Sequence, residues 1–401
     1  MSRDRCLNPR WRRPQGKAKL RIFPSRRLPL FLCVLTLFSS SCNDVPDPSP
    51  NYREYAYITN GGDNNVTVVD LRALRIKDTV PVGRSPTGLA ENPRRNEIYV
   101  ANTESNSVSV IEAESNKVVA TIGVHRAPYF VSVSGDGRRA YVANSGSANL
   151  SAIDLDTRKV IKTIQVGNGS DLARVTPDGR LVVVTLRTED SVAIVDASTL
   201  AVRAKVKACS KPAEVAILPD SSKAFVTCPG SNQVAVLDLN AGNLLTLLDV
   251  GKTPISIVVK PDGGEVFVCN FDSSSISEVI TNLNEVNHSF LIGKQPVRAL
   301  VSPDNAFLYV TNFGSDSVAV YGIDNGRLMN SVDVGSHPEA LAFSPNQLRL
   351  LVVNTVSGDL SVFELTGQNG APRPDAPSLA AMVPLGKDPR AIAVKAFVSQ
   401  H

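Results

Sequence analysis

Apolar and polar residues alternate along most of this chain, in short runs that are separated by turn residues. Ile257–Val259 and Leu341–Phe343 belong to such runs, and a period of two is typical of a strand with one buried face. Turns such as Pro177–Gly179 and Pro261–Gly263 follow, where proline presets φ and glycine accepts positive φ. No stretch of the chain has helical periodicity, so the pattern predicts an all-β protein.

One apolar tetrapeptide recurs every 42 residues, and no insertion interrupts its spacing. Its copies are Tyr57–Asn60, Tyr99–Asn102, Tyr141–Asn144, Val183–Leu186, Phe225–Cys228, Phe267–Asn270, Tyr309–Asn312 and Leu351–Asn354. Each unit divides into four short strands, which is typical of one blade of a β-propeller.

These tetrapeptides resemble those of the YVTN-repeat β-propellers, a family of exported bacterial and archaeal proteins that includes lipoproteins. The likeness extends from residue 57 to about 398, whereas tryptophan–aspartate repeats are excluded because the only tryptophan is Trp11. The resemblance implies a toroidal fold and export. It implies little about function, since the family contains binding proteins, surface-layer components and a few enzymes.

The sequence predicts eight blades of four strands within residues 57–398. The first unit opens on its second strand, and the last inner strand, Ala391–Val394, has no blade of its own. We expect this C-terminal strand to complete the first blade and close the ring, which removes two open sheet edges. Seven blades plus a stray one is the alternative. Because of an insertion near 366–377, the last inner strand begins later in the sequence than the 42-residue spacing predicts.

The N-terminus is predicted to be a signal peptide, residues 1–41. Arg26 and Arg27 precede an apolar run that is too short to span a bilayer, and small residues follow it. Cys42 comes next, which resembles the lipobox of bacterial lipoproteins. We therefore expect a lipid on Cys42, with residues 42–56 as the linker; plain cleavage nearby is the alternative. Either outcome predicts an exported protein, in the periplasm or on the cell surface.

The basic character of the chain belongs to this leader. The net charge is +4 overall and +9 over residues 1–41, which leaves −5 for the remainder. A mildly acidic body argues against nucleic acid or anionic lipid as a partner of the whole molecule.

Positive charge nevertheless recurs on one face of the predicted ring. The position after the repeat glycine, or after the residue that replaces it, is cationic in five of eight blades: Arg84, Arg126, Lys252, Lys294 and Lys387. We call these residues the loop cations. Further candidates are channel-facing positions of the inner strands, together with Tyr129 beside them: Tyr129, Phe130, Arg174, Glu214 and Arg298.

A ring of cations near an axis focuses positive potential, so one hypothesis is an anionic ligand that stacks on Tyr129 and Phe130. The alternative is that these are solvated loop charges, which exposed turns commonly carry. The sequence leaves both open.

Metal, haem and nucleophilic chemistry find little support. The four histidines, His125, His288, His337 and His401, have no ligand spacing, and no Cys-x-x-Cys-His motif exists. No Gly-x-Ser-x-Gly elbow is present either. We therefore expect no cofactor, no metal and no catalytic residue.

Two cysteines replace repeat residues in a single blade. Cys209 stands for the repeat glycine and Cys228 for the repeat asparagine, and the predicted hairpin brings them close together. In an exported protein this predicts a disulfide, with two buried thiols as the alternative.

The leading hypothesis is a monomeric, membrane-tethered propeller that binds a partner or an anionic ligand at its channel face, and we expect a binder rather than an enzyme. A propeller hydrolase of the lactonase type is the second hypothesis. Binding of single-stranded DNA in the periplasm is the third, and it is not favoured.

Overall fold

The computed structural model describes residues 51–367 and 370–399, and it confirms an all-β, eight-bladed propeller. Each of its eight sheets has four antiparallel strands. The predicted signal peptide 1–41, Cys42 and linker residues 43–50 lie outside the described residues. Within the described part of the chain, no helix is long and apolar enough to cross a membrane.

Blades 1 to 4 follow one another along the chain. Their strands are β1 (Tyr52–Asn60), β2 (Asn65–Asp70) and β3 (Arg75–Pro81) in blade 1; β4 (Pro86–Glu91), β5 (Glu97–Asn102), β6 (Ser107–Glu112) and β7 (Lys117–Gly123) in blade 2; β8 (Pro128–Val133), β9 (Arg139–Asn144), β10 (Asn149–Asp154) and β11 (Lys159–Gln165) in blade 3; and β12 (Ser170–Val175), β13 (Leu181–Leu186), β14 (Ser191–Asp196) and β15 (Ala201–Lys207) in blade 4.

Blades 5 to 8 repeat the arrangement, and the last strand returns to blade 1. Their strands are β16 (Val215–Ile217), β17 (Lys223–Cys228), β18 (Gln233–Asp238) and β19 (Asn243–Asp249) in blade 5; β20 (Pro254–Val259), β21 (Glu265–Asn270), β22 (Ser275–Ile280) and β23 (Glu285–Leu291) in blade 6; β24 (Pro296–Val301), β25 (Phe307–Asn312), β26 (Ser317–Gly322) and β27 (Arg327–Asp333) in blade 7; β28 (Pro338–Phe343), β29 (Arg349–Asn354), β30 (Asp359–Glu364) and β31 (Ser378–Pro384) in blade 8; and finally β32 (Pro389–Val398). A 3-10 turn, Phe313–Ser315, follows β25.

The hydrophobic core lies between neighbouring blades. The second strand of a blade is buried on both faces, as in β13, where all six residues are inaccessible to solvent or nearly so. One cluster joins Tyr141 and Leu150 of blade 3 to Ala173 and Val182 of blade 4. Corresponding clusters fill the other junctions, so each blade is stabilised mainly by its two neighbours.

The repeat asparagine ties the second strand to the third. In blade 2 the Nδ2 atom of Asn102 donates to the hydroxyls of Ser107, at 3.2 Å, and Ser109, at 2.9 Å. The repeat glycine lies directly above: a Cβ on Gly83 would come within 2.6 Å of Cγ of Asn102. Glycine and asparagine therefore recur together because any larger residue than glycine would collide with the asparagine side chain.

Blade 5 replaces this glycine–asparagine contact with a covalent bond. Cys209 and Cys228 are joined by a disulfide, with their Cα atoms 5.8 Å apart. The third cysteine of the described chain, Cys269, is a buried free thiol in β21. The disulfide thus occupies the place where Gly83 covers Asn102 in blade 2.

The C-terminal strand closes the ring, as the sequence predicts. In β32, Ile392 pairs with Ile58 and Val394 pairs with Ala56 of β1. This pairing confirms eight blades and excludes seven blades plus a stray one. However, β1 begins at Tyr52 rather than at Tyr57, so residues 52–56, which the sequence assigns to the linker, form part of the closing sheet.

The insertion follows β30 and packs against the preceding blade. A backbone bridge joins Thr366 to Pro372, and the carbonyl of Pro374 accepts a 2.7 Å hydrogen bond from the hydroxyl of Tyr309 in blade 7. Residues 368 and 369 lie outside the described residues.

Candidate functional site

Two kinds of connection meet on the face where the inner strands begin. One is the loop from an outermost strand to the next inner strand, and the other is the loop between second and third strands. They are joined by backbone hydrogen bonds, for example from Gly146 to the carbonyl of Arg126 and from Gly314 to that of Lys294. This face surrounds the mouth of the central channel, which we call the channel mouth.

The five loop cations all lie on this face and are exposed to solvent or nearly so. Among the described residues, none of the five forms an ion pair. The Arg84 side chain makes a long hydrogen bond, 3.4 Å, to the carbonyl of Glu104 in its own blade. The structure therefore places the loop cations together on one surface, but it does not bring them into contact with the inner-strand candidates.

The inner-strand candidates form a contacting group around Glu214. One carboxylate oxygen of Glu214 accepts from Nη2 of Arg174 at 2.7 Å, and the other accepts from Nη1 of Arg298 at 2.9 Å. Arg174 lies in blade 4, Glu214 directly precedes the inner strand of blade 5, and Arg298 lies in blade 7. The bridge therefore skips blade 6. Blade 6 offers the buried Ser256 at the matching position, a side chain too short to interrupt the bridge.

Charge holds this bridge together. Burial opposes ionisation of Glu214, but attraction by Arg174 and Arg298 outweighs it and lowers the pKa of Glu214 to about 2. Glu214 is therefore a carboxylate at neutral pH. Its side chain is only 13% exposed, whereas those of Arg174 and Arg298 are 37% and 44% exposed. The outer edges of both guanidinium groups remain accessible from the mouth.

Aromatic rings complete the group. The guanidinium carbon of Arg174 lies 4.9 Å from the centroid of the Phe130 ring, a cation–π contact. Gly88 of blade 2 permits this position of Phe130, because a Cβ there would come within 2.6 Å of the ring. The Nε atom of Arg174 is buried and has no partner among the described residues. We refer to Tyr129, Phe130, Arg174, Glu214 and Arg298 as the channel-mouth cluster.

Tyr129 extends into the mouth itself and is 49% exposed. Burial raises the pKa of its hydroxyl; Arg298 and Arg390 act against this shift, and Asp171 and Glu339 reinforce it. These four charged residues belong to blades 7, 1, 4 and 8, whereas Tyr129 belongs to blade 3. Charged groups of four other blades therefore act on the hydroxyl of Tyr129.

Sequence reasoning missed several charged groups at the mouth, namely Asp171, Arg187, Glu339 and Arg390. Burial raises the pKa of the Asp171 carboxyl, although Arg187 lies 3.7 Å away, and burial also raises the pKa of Glu339. None of the four is among the candidate residues of the sequence analysis.

A backbone irregularity explains the omission. At the start of most inner strands the register shifts, for example between Pro128 and Val131 and between Ser170 and Ala173. Such a bulge redirects side chains, so two successive residues face the mouth instead of every second one. The signal was available as a second column of the repeat, which contains Tyr129, Asp171, Glu339 and Arg390 at equivalent positions.

Comparison with known proteins places parts of this chain beside two families. Residues 293–385 match a family described as "Lactonase, 7-bladed beta-propeller", and residues 94–217 match "Cytochrome D1 heme domain". Each match covers less than half of the chain. No curated protein matches it.

Solved structures resemble most of this chain. The dihydro-heme d1 dehydrogenase NirN in complex with DHE shares 16% identity at a TM-score of 0.72, over 84% of this chain and 74% of that one. A functionally unknown protein from Desulfotomaculum acetoxidans shares 16% identity at a TM-score of 0.58, over 85% of this chain and 98% of that one. Hydrazine synthase of Kuenenia stuttgartiensis shares 18% identity at a TM-score of 0.54, over 70% of this chain and 95% of that one. These likenesses show the β-propeller fold.

The haem that two of these descriptions name does not fit the residues at the mouth. Haem iron in proteins is bound by histidine, methionine, cysteine or tyrosine. His125 contacts Thr163 and His337 packs on Phe313, and neither forms a hydrogen bond or ring contact with the channel-mouth cluster among the described residues. Of such ligands the cluster contains only Tyr129, whose raised pKa disfavours the phenolate. Among the described residues, no three His, Cys, Asp or Glu side chains are grouped to hold a metal ion.

Proposed function

We propose that this chain is an exported binding protein, tethered through a lipid on Cys42, whose channel mouth takes an organic anion that contains a ring, such as a carboxylated sugar. The YVTN-type repeat and the leader support export. So does the Cys209–Cys228 disulfide, since disulfides persist in oxidising compartments. The channel-mouth cluster supports the choice of ligand.

The observation that carries the proposal is the bridge from Arg174 through Glu214 to Arg298. Glu214 uses one nitrogen of each arginine and keeps both guanidinium planes in place. An arginine held in this way presents its remaining N–H groups to a carboxylate or phosphate at little entropic cost. Tyr129 and Phe130 then supply faces for the apolar part of the ligand.

Isothermal titration with a galacturonate oligomer, using its uncharged methyl ester as the matched ligand, tests the proposal. We expect the acid to bind and the ester to bind at least about tenfold more weakly, because only the acid engages arginine. Arg298→Gln and Tyr129→Leu should each weaken binding of the acid. Equal affinity for acid and ester, or wild-type affinity in both variants, would contradict the proposal.

The role of the loop cations is tested separately by the triple change Arg126→Gln, Lys252→Gln and Lys294→Gln. If they steer the ligand, affinity should fall less steeply with salt in the triple variant than in the wild type. A poly-dT strand in the same titration tests single-stranded DNA, whose binding should fall steeply with salt. Unchanged affinity for every anion assigns these residues to solvated surface.

A lactone hydrolase is the second candidate, and one observation favours it. The match to a lactonase family covers residues 293–385, which include Arg298 and Glu339. The raised pKa of Glu339 makes its carboxylate a better base. Glu339 would take a proton from water as that water attacks the lactone carbonyl, and Arg298 or Arg390 would stabilise the oxyanion. When the oxyanion collapses and the ring C–O bond breaks, the protonated Glu339 would give its proton to the departing alkoxide oxygen.

The enzyme hypothesis is tested with glucono-δ-lactone in a pH-stat, against the spontaneous rate. Catalysis that disappears in Glu339→Gln, while ligand binding persists, would establish hydrolysis. A wild-type rate equal to the spontaneous rate would remove glucono-δ-lactone hydrolysis from consideration and leave the binding function as stated.

A further inference from the structure

A cavity of about 1030 Å³ opens on the face opposite the channel mouth, between blades 2, 3 and 4. The turns that join inner and second strands meet on that face. Five arginines from three successive blades line the cavity: Arg94, Arg95, Arg138, Arg139 and Arg180. We call it the basic cleft.

The arginines are concentrated in these blades. Arg138 and Arg180 occupy one repeat position, and blades 5 to 8 have uncharged residues there: Ser222, Gly264, Ala306 and Leu348. In blade 2 the repeat turn also lacks its acidic residue, because Arg94 stands where blades 3 and 4 have Asp136 and Asp178. A feature required by the blade itself would appear in all blades, so this one has another cause.

Two of the arginines hold the blades together. Arg95 donates to the carbonyl of Leu155 at 3.0 Å and pairs with Asp156, both in blade 3. Arg139 donates to the carbonyl of Ala197 in blade 4. These contacts fix the walls of the basic cleft.

The remaining three arginines form no hydrogen bond or ion pair with another blade in the described part of the chain. Arg94 and Arg138 are exposed, and their guanidinium groups have no hydrogen-bond or ion-pair partner among the described residues. Arg180 pairs only with Asp178, and its side chain is 74% exposed. The structure thus presents three accessible guanidinium groups on the rim of one concavity.

The aspartates of the cleft are occupied within their own turns. Asp136 accepts from the hydroxyl of Ser134 and from the backbone of Arg138. Asp154 and Asp196 accept in the same way from the residues that follow them. Each of these bonds goes to Oδ1, so part of the negative charge is taken up within the turns. Asp156 and Asp178 also line the cleft, and they pair with Arg95 and Arg180.

From this arrangement we propose that the basic cleft is a second binding site, for a small polyanion with at least two phosphate or carboxylate groups. A concave site of this volume suits a molecule of nucleotide size better than a flat protein partner. The planar guanidinium binds the two oxygens of such groups in parallel. The proposal goes beyond the channel-mouth function and does not depend on it.

Calorimetric titration with tripolyphosphate and with citrate tests the site and separates its two chemistries. The variant combines Arg94→Gln, Arg138→Gln and Arg180→Gln, and the control combines Arg75→Gln and Lys77→Gln, which are exposed on the outermost strand of blade 1. We expect at least one anion to bind, about tenfold or more weaker binding in the cleft variant, and a change below about twofold in the control. The tighter anion identifies phosphate or carboxylate as the preferred group.

Loss of binding through misfolding is excluded by Arg138→Lys, which keeps the charge but removes the planar fork. It should bind several-fold more weakly than the wild type while its thermal transition is unchanged. Two results would overturn the proposal: neither anion binds the wild type, or the control loses as much affinity as the cleft variant.

Discussion

The middle strands of the blades and the inner edge of the ring vary in opposite ways. In the second and third strands the same contact returns from blade to blade, as Asn102 with Ser109 and Asn144 with Ser151 illustrate. At the channel mouth the residues differ between blades: blade 3 presents Tyr129, blade 8 presents Glu339 and blade 1 presents Arg390.

This difference separates two physical demands. The buried Nδ2 donor of the repeat asparagine finds the same kind of acceptor from blade to blade, because an unpaired buried donor costs about 1–3 kcal/mol. The mouth is solvated and carries no such requirement, so its residues are free to differ. We therefore assign stability to what the blades share and binding to what they do not, and the following predictions test that division.

The largest effect is expected from removal of the closing strand. Deletion of residues 388–401 deprives β1 of its partner and exposes Ala56 and Ile58, which pack with Ile392 and Val394. The open edges should lead to loss of the cooperative thermal transition and to aggregation, measured by circular dichroism and size-exclusion chromatography. Deletion of residues 400–401 alone is the control. A shortened chain that melts like the intact one would refute closure of the ring by β32.

A smaller loss of stability is expected from removal of the disulfide. Cys209 and Cys228 are 19 residues apart, and a loop of that size corresponds to about 3 kcal/mol in the entropic account. Cys209→Ser with Cys228→Ser should therefore lower the free energy of unfolding by about 2–4 kcal/mol in urea denaturation.

The matched variant is Cys209→Gly with Cys228→Asn, which restores the repeat pair. Its free energy of unfolding should fall by only about 1–2 kcal/mol relative to the wild type. The loss is smaller than in the double serine variant because the introduced glycine leaves room for the introduced asparagine, as Gly83 does for Asn102. Equal losses in the two double variants would mean that the glycine–asparagine contact contributes nothing in blade 5.

Most of the fold could be predicted from the sequence because the repeat leaves few choices. Even spacing defined the blades, and the unpaired first and last units, Tyr57–Asn60 and Ala391–Val394, implied closure by the C-terminus. The start of β1 at Tyr52 could not be predicted, since residues 52–56 precede the first tetrapeptide and extend it by pairing with the last residues of β32.

The candidate site was only partly predictable. The repeat columns placed Phe130, Glu214 and Arg298 towards the channel, but they could not reveal that Glu214 links Arg174 to Arg298 across a gap left by Ser256. That contact depends on side-chain length and on bulges at the strand starts, which a periodic pattern does not encode. The basic cleft was overlooked for a simpler reason: turn residues were interpreted by their backbone conformation alone.

A moderate loss of stability is expected from replacement of the repeat asparagine. Asn102→Ala leaves the buried hydroxyls of Ser107 and Ser109 without their common donor, so the free energy of unfolding should fall by about 2 kcal/mol. Tyr129→Ala at the mouth is the comparison, and it should stay within about 0.5 kcal/mol because Tyr129 is half exposed. If Tyr129→Ala lowered the free energy of unfolding more than Asn102→Ala, the assignment of stability to the shared positions would be wrong.

The smallest effect, and the one with a pH signature, is expected from Glu214→Gln. The pKa of Glu214 is about 2 in the folded protein, below the ordinary value for glutamate. The ion pairs with Arg174 and Arg298 therefore stabilise the fold fully above about pH 5, and this stabilisation is lost as the pH falls towards 2. Because both arginines are partly solvated, we expect about 1 kcal/mol at pH 7.

Urea denaturation of wild type and variant from pH 7 down to pH 2 measures this contribution as the difference between two curves. The curves should converge at low pH, where the carboxyl of Glu214 becomes protonated, and Glu104→Gln at an exposed loop position should give no such convergence. A constant difference at every pH would mean that Glu214 acts through packing alone. The channel-mouth cluster would then resemble the buried strands, and the contrast between mouth and blade would lose its electrostatic basis.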